Sequence, residues 1–394
     1  MLIYYLNKGA LFGEGMRKWF FIAACLFVNS AFADVIVGFA AYENGDYTTA
    51  YPHLVQAADE GNAEAMYLLG RMFQYGNGVN KDDAKAKEWY EKSALKNNAL
   101  SQLSLGFLYD TGQGVKQDFK EAFSWYKKAA DQGNAIAERN LGLMYAVGDG
   151  VTEDPKESFK WFEKSATQGY AKSQVNLAYQ YMVGYGTNKD AEKAMYWYKK
   201  AAEQGDAKAQ YSLALMYSGE YGIAKDDKEA TYWFSQAANQ GHKYAEAYLA
   251  YRYLNGLGVE PNIEKAFYWY KSSAEKGNPI AQAELGQLFL SGTGTDKDYE
   301  QAAYWFGLAA EQGDEVAEGK LGYLYTVGLG VNKDLARAYA WLKLASFHKN
   351  EQATKELERL TTNLSPEDKA KGELLYQELS KKKPKQESSD DEVE

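Results

Sequence analysis

ALSQLSLGFLYDTGQGVKQDFKEAFSWYKKAADQGN, residues 99–134, is the stretch that decides the fold, because stretches of the same length and pattern precede and follow it. Tryptophan marks the same place in eight of them, once every 36 residues: Trp89, Trp125, Trp161, Trp197, Trp233, Trp269, Trp305 and Trp341. A fixed period of this length is typical of stacked helical arrays, in which each repeat buries its apolar face against its neighbours. The sequence therefore predicts an all-α solenoid whose function lies on an extended surface.

The first half of each repeat has the spacing of a helix, which we name helix A. With position 1 at Ala63, eight repeats fill residues 63–350. A small residue at position 3, Leu at 7, Gly or Ala at 8 and an aromatic residue at 11 form one helical face. Because the small residue at position 8 lowers helix propensity, its recurrence predicts that another helix approaches closely there.

A glycine turn and a second helix, helix B, complete the repeat. Position 16 is always glycine, which suits a left-handed turn, and position 20 is always Asp or Asn, which suits a helix N-cap. Helix B then has Trp at 27, an aromatic residue or Leu at 28 and small residues at 31 and 32. We expect the tryptophans to pack between repeats.

The turn does not have the pattern of a calcium or phosphate loop. A calcium loop would need more oxygen ligands than this turn supplies, and a phosphate loop would need a preceding strand.

These positions resemble the Sel-one-like repeat family, a relative of the tetratricopeptide repeats with a longer turn between its helices. The departures are local: Gly219 precedes Glu220 where the first turn glycine belongs, and Asn97 and Lys349 replace the glycine at position 35. The resemblance implies a right-handed α/α superhelix of helical hairpins that serves as an adaptor. In exported bacterial members it implies roles in envelope regulation, cell-wall turnover, exopolysaccharide control or host contact.

Residues 1–33 have the features of a secretory signal peptide, with Met16 as a possible true start. A basic pair and an apolar stretch lead to a small-x-small site that predicts cleavage after Ala33, so that the exported chain begins at Asp34 and is periplasmic or secreted. Two alternatives stay open: an N-terminal membrane anchor, although the apolar stretch is short for a span, and lipidation at Cys25, the single cysteine. The mature chain contains no stretch that predicts a membrane span.

Both ends of the array predict caps, because a solenoid must cover its terminal apolar faces. Residues 34–62 are interpreted as a degenerate capping hairpin, and residues 351–380 as two capping helices. Residues 381–394 carry lysines followed by acids without an apolar stripe, which predicts a disordered charged tail. Whether this tail binds an anionic surface is left open.

Composition and motifs disfavour catalysis and nucleic-acid binding. The net charge is −10, whereas phosphate backbones require a clustered basic surface. The three histidines have no metal-ligand spacing and no nucleophile motif is present, so we expect no catalytic residue, cofactor or metal. Some cysteine-rich members of the resembled family are credited with binding or hydrolysing β-lactams, which keeps a cell-wall or β-lactam-directed hydrolase as an alternative.

A partner-binding groove is predicted on helix A, at positions that vary between repeats and avoid the packing face. Tyrosine and arginine are frequent interface anchors, and repeats four to six are richest in such tyrosines. The candidate residues are Arg71, Phe107, Arg139, Asn140, Asn176, Tyr179, Tyr211, Tyr248, Tyr251 and Arg252. We expect a peptide or protein segment to lie along this groove, although some of these side chains could simply pack against the next repeat. The partner's identity and the oligomeric state are left open.

Three settings for such a scaffold are considered. A periplasmic scaffold that regulates another envelope protein is preferred, a secreted factor that contacts host proteins is the second, and quality control in the endoplasmic reticulum, with Asn363 as a glycosylation acceptor, is the third.

Overall fold

The computed structural model describes residues 30–381, so most of the predicted signal segment and residues 382–394 of the predicted tail lie outside the described part of the chain. The described residues contain twenty α-helices and one short 3-10 helix, and no strand among them. This confirms the predicted all-α fold of tandem helix-turn-helix repeats. The described residues divide into two compact units, one comprising residues 30–170 with Tyr185–Thr187 and the other Ala171–Gly184 with residues 188–381.

In the first unit, a hairpin of two helices precedes the helices of repeats one to three. These helices are α1 (Ser30–Glu43), α2 (Tyr47–Asp59), α3 (Ala63–Tyr75), α4 (Asp83–Ala94), α5 (Ala99–Thr111), α6 (Phe119–Asp131), α7 (Ala135–Val147) and α8 (Pro155–Thr167). Each helix A packs against helix B of its own repeat, and within this unit α2, α4 and α6 each pack against the helix A that follows.

The second unit continues the same alternation from repeat four and ends with two further helices. Its helices are α9 (Ala171–Val183), α10 (Ala191–Glu203), α11 (Ala207–Tyr217), α12 (Asp227–Asn239), α13 (Lys243–Asn255), α14 (Ile263–Glu275), α15 (Pro279–Ser291), α16 (Tyr299–Glu311), α17 (Glu315–Val327), α18 (Leu335–Phe347), α19 (Glu351–Thr362) and α20 (Pro366–Lys381). The 3-10 helix, Glu220–Gly222, lies between α11 and α12.

Repeat two shows how the sequence sets the helix boundaries. The Asn98 side chain accepts the Ser101 N–H at 2.9 Å and begins helix α5, which ends at Gly112 in the left-handed conformation. The Asp118 carboxylate accepts the N–H groups of Lys120 and Glu121 and begins helix α6. Position 20 is an N-cap in all eight repeats, as predicted.

The glycine at position 16 has a second role besides turning the chain. Gly114 has a φ of 70°, and a Cβ there would lie 2.5 Å from Cβ of Asp83, the first residue of helix B in the preceding repeat. The turn therefore packs directly on the neighbouring repeat, and only glycine leaves room for it. The left-handed conformation predicted for this glycine is confirmed.

The ring at position 28 is the most deeply buried aromatic group of the repeat. Tyr126 is fully buried, and a Cβ at Gly106 would lie 2.4 Å from its ring, which explains the small residue at position 8. Trp125 is half-buried and packs against a cluster that includes Tyr90 of the preceding repeat and Leu105 of its own. Six of the eight tryptophans pack on clusters that join neighbouring repeats, as predicted, and five of the eight keep part of the indole exposed.

Candidate partner-binding surface

Four of the ten predicted groove residues lie in the first unit. Phe107 on α5 is exposed, whereas Arg71 on α3 and Arg139 and Asn140 on α7 are half-buried. The guanidinium of Arg71 lies 5.6 Å from the ring centre of Tyr75, within cation-π distance. Burial lowers the pKa of Arg139, so this side chain is partly withdrawn from water.

Five more lie on helix A of repeats four to six in the second unit. Tyr179 on α9 and Tyr251 on α13 are 44% and 50% exposed. Asn176 on α9, Tyr211 on α11 and Tyr248 on α13 are half-buried. The two exposed tyrosines offer accessible rings, whereas the other three residues are only partly accessible.

The expectation that Arg252 faces the groove is wrong. Its side chain is 3% exposed, and its guanidinium donates to the Thr231 hydroxyl, to the Ser218 hydroxyl at 3.3 Å and to the Asp227 carboxylate at 2.6 Å. These partners lie on helix α12 and at the end of α11. Arg252 therefore holds repeats five and six together and cannot act as an accessible anchor.

Repeats five and six share a cluster of aromatic side chains on the helix-A surface. The rings of Tyr211 and His242 stack at 4.5 Å between centres, and Tyr248 stacks on Phe234 at 4.9 Å with the two planes 5° apart. Tyr211 also lies 5.9 Å from Tyr248 in an edge-to-face arrangement. Such contacts stabilise each ring by about 0.5–1.5 kcal/mol beyond its burial, so the cluster presents a preorganised surface.

His242 and Tyr248 of this cluster are neutral at pH 7. Burial lowers the pKa of His242 to about 4, and the imidazole Nδ1 accepts the Ala245 N–H at 3.2 Å. Burial also raises the pKa of the Tyr248 hydroxyl, with Glu220 and Tyr221 acting in the same direction. The surface is thus apolar with neutral hydroxyls, which suits a peptide more than a phosphate or a metal ion.

The turn of repeat five adjoins the cluster and departs from the other turns. Helix α11 ends at Tyr217, and Gly219 takes the left-handed conformation before the 3-10 helix. Tyr221 has a φ of 62° and is 56% exposed. A non-glycine residue at positive φ stores strain, a condition that clusters at functional sites. We did not predict Tyr221 as a site residue, although the irregular glycine spacing marked this turn.

Sequence reasoning also missed a row of exposed tyrosines on helix B. Position 26 is tyrosine in repeats four to seven, more than half of each ring is exposed, and each packs edge-on against the following tryptophan at 4.9–5.1 Å between centres. These residues are Tyr196, Tyr232, Tyr268 and Tyr304. The recurrence of these tyrosines every 36 residues is the signal from which the sequence could have predicted this row.

Among residues 30–381, neither a cluster of metal-binding side chains nor a helix suited to span a membrane is present. No group of three or more His, Cys, Asp or Glu side chains in this part could hold a metal ion. Within the same residues, no helix is long and apolar enough to cross a membrane.

Paired helices, capped at fixed positions and joined by glycine turns, define a helical-repeat scaffold. The Sel1 repeat pattern matches residues 63–98, 99–134, 135–170, 171–206, 207–242, 243–278, 279–314 and 316–346. The chain belongs to the Sel1 repeat family.

Solved structures of bacterial proteins share this fold. A protective antigen of uropathogenic Escherichia coli strains is 33% identical, with 89% of this chain and 84% of that chain covered and a TM-score of 0.59. A Sel1 repeat protein from Oxalobacter formigenes is also 33% identical, with 85% and 94% covered and a TM-score of 0.60. No curated protein matches this chain.

Proposed function

We propose that this Sel1 repeat protein is an exported, non-enzymatic interaction scaffold that binds a peptide or protein segment on helix A of repeats four to six. Binding there would regulate or organise an envelope process. The proposal rests on two observations: the exposure of Tyr179 and Tyr251 on helix A of repeats four and six, and the preorganised aromatic cluster of Tyr211, His242 and Tyr248 in repeats five and six. Tyr248 also contributes to the junction of repeats five and six, because its ring stacks on Phe234 of repeat five.

Tyrosine gives this surface its recognition chemistry. Each ring provides a large contact area at low cost in side-chain entropy, and its hydroxyl can donate to a backbone carbonyl. The rings of Tyr211 and Tyr248 are already held by stacking, so little ordering is required when a partner binds. Arg252 is excluded from this surface because its guanidinium is paired inside the repeat junction.

Affinity capture from envelope extract tests this proposal with two matched double variants. Tyr179→Ala with Tyr251→Ala removes the exposed rings of helix A, whereas Tyr196→Ala with Tyr232→Ala removes equally exposed rings of helix B. We expect the helix-A variant to lose at least about tenfold in partner recovery and the helix-B variant to retain it. Equal recovery by wild type and both variants would refute a helix-A site.

Export is a separate part of the proposal and rests on the features of residues 1–33. Sequencing the N-terminus of the protein purified from cells should find Asp34 as the first residue. A protein that retains Met1 or Met16 and fractionates with the cytoplasm would refute export while leaving the scaffold intact.

The similarity to a protective antigen favours a second candidate setting, a secreted factor that contacts host proteins. Culture medium and periplasmic extract distinguish the two settings. Recovery in the medium from intact cells supports the secreted factor, and confinement to the periplasm supports the envelope scaffold.

A further inference from the structure

Helix α20 turns back onto helix B of repeat eight. It packs against α18, where the Glu373 carboxylate accepts from the Tyr339 hydroxyl at 3.1 Å and from Lys343 Nζ at 2.6 Å. A Cβ at Gly372 would lie 2.7 Å from the Tyr339 ring, so the two helices are in close contact. The helix-B face of repeat eight is therefore already covered by an amphipathic helix of this chain.

Between α20 and the helix-B face of repeat seven lies a cavity of about 690 Å³, which we name the α16–α20 groove. Ala303, Leu308 and Trp341 form part of its apolar lining, and Tyr304 stands beside it. Leu379 of α20 lines the opposite side and belongs to the same apolar cluster as Trp341. The groove thus prolongs the interface that α20 makes with α18.

A glycine keeps the α16–α20 groove open. Gly307 is at position 29, where the other repeats of this unit have Lys199, Ser235, Lys271 and Lys343. Among residues 30–381, no atom outside the local helix backbone lies within 4 Å of the place where a Cβ would stand. Glycine inside a helix costs about 1 kcal/mol relative to alanine. Packing among the described residues gives no reason for Gly307, whereas close approach by another helix does.

The charge around the α16–α20 groove is negative. Glu300 and Glu311 on α16 and Glu378 on α20 line it, and α16 contains no lysine or arginine. Within the described part of the chain, none of these three carboxylates has an ion-pair partner. Arg337, a basic residue that also lines the groove, already forms an ion pair, since its Nε lies 3.5 Å from the Asp334 carboxylate.

We propose that the α16–α20 groove binds a basic amphipathic helix of a partner protein. The apolar face of that helix would pack on Gly307 and Leu308 beside α20, with the spacing of a helix-in-groove interaction. Its lysines or arginines would meet Glu300 and Glu311 and could stack on the exposed Tyr304 ring. This surface lies on helix B, so it is separate from the helix-A surface of the proposed scaffold function.

A designed peptide supplies the probe. It is about 18 residues long, with leucines at i, i+3, i+4 and i+7, lysines on the flanks and a fluorescein label; its twin has glutamate in place of lysine. Fluorescence anisotropy with the purified protein should show the lysine peptide binding at least about tenfold more tightly than its twin, with affinity falling as salt rises. Equal affinity for the two peptides would overturn the proposal.

Variants of the protein locate the binding. Gly307→Leu fills the groove and Glu311→Lys reverses its charge, whereas Glu275→Lys makes the same change at position 33 of repeat six. We expect the first two to weaken the lysine peptide about tenfold or more and Glu275→Lys to leave it within about twofold, with far-UV circular dichroism unchanged in all three. Unchanged binding by Gly307→Leu would overturn the proposal.

The same experiments distinguish two other occupants of the α16–α20 groove. Concentration-dependent dimerisation of the wild type that Gly307→Leu abolishes would assign the groove to a second copy. Competition by a synthetic peptide of residues 382–394, equal to that of the lysine peptide, would assign it to this chain's own end. Either result would overturn binding of a partner helix.

Discussion

The glycine at position 16 should resist substitution because of a contact between repeats, and two neighbouring repeats separate this contact from backbone strain. Gly222 and Gly258 have similar φ values of 80° and 72°. An added Cβ at Gly258 would overlap the Asp227 carbonyl and lie 2.8 Å from the Lys228 nitrogen, whereas at Gly222 no atom lies within 4 Å. Gly222→Ala thus adds strain alone, and Gly258→Ala adds strain and overlap.

The magnitudes follow from these two terms. The left-handed conformation costs an alanine about 1–2 kcal/mol, which is the expected loss for Gly222→Ala. Overlap with a backbone that cannot move freely adds about 1–3 kcal/mol, so Gly258→Ala should lose about 2–5 kcal/mol in total. Urea unfolding followed by circular dichroism gives the free energies, and hydrogen exchange in α12 to α14 shows whether the loss is local, because repeat arrays can unfold in parts. Equal losses in the two variants would refute the contact between repeats.

Three further predictions concern single side chains. Tyr221→Gly should stabilise the protein by about 1 kcal/mol in urea unfolding, since glycine removes the strain of the left-handed conformation; a loss of stability would show that the tyrosine ring contributes more than its backbone costs. Arg252→Met should cost about 2–3 kcal/mol, less than a fully buried pair because Asp227 is partly exposed; a neutral result would show that this pair does not hold repeats five and six together. Burial raises the pKa of Glu318 to about 7, opposed by His348, so the folded state favours the protonated carboxyl. The protonated Glu318 side chain contributes its full stability below pH 4.5, and this contribution is lost as the pH rises through about 7. Glu318→Gln should therefore lose less stability than wild type over that rise in thermal unfolding, and parallel curves would contradict the linkage.

Helix boundaries were predictable because each depends on a local, repeated signal. The Asp or Asn at position 20 caps helix B with its own side chain, and the turn glycines are fixed by backbone conformation. Eight copies of the pattern make chance agreement negligible. Helix A has its own cap as well, as at Asn98, and this signal at the last position of the preceding repeat was overlooked.

Burial was harder to predict where one repeat differs from the others. Arg252 is at position 10, where Met72, Leu108 and Leu288 are buried in other repeats. Aligning that position would have predicted burial, but the assumed packing face omitted it. The partner that makes burial tolerable, Asp227, is 25 residues away in the chain, and only the packed structure brings the two together.

The α16–α20 groove could not be predicted from the repeat pattern. The repeats imply that a further hairpin follows α18, whereas α20 packs back on α18 itself. This return depends on tertiary contacts such as Gly372 against Tyr339, which have no equivalent in the repeats. The sequence shows that Gly307 is an unusual residue for the inside of a helix. The empty space beside Gly307 is seen only in the structure, where α20 packs on α18.

Site-specific photocrosslinking tests the central claim most directly. A photoreactive phenylalanine derivative at position 251 on helix A, or at the equally exposed position 196 on helix B, is activated in intact cells, and crosslinked partners are identified by mass spectrometry. The scaffold account predicts a discrete protein adduct from position 251, lost when Tyr179→Ala is added, and none of that identity from position 196. The same adduct from both positions, or from position 196 alone, would contradict binding on the helix-A surface.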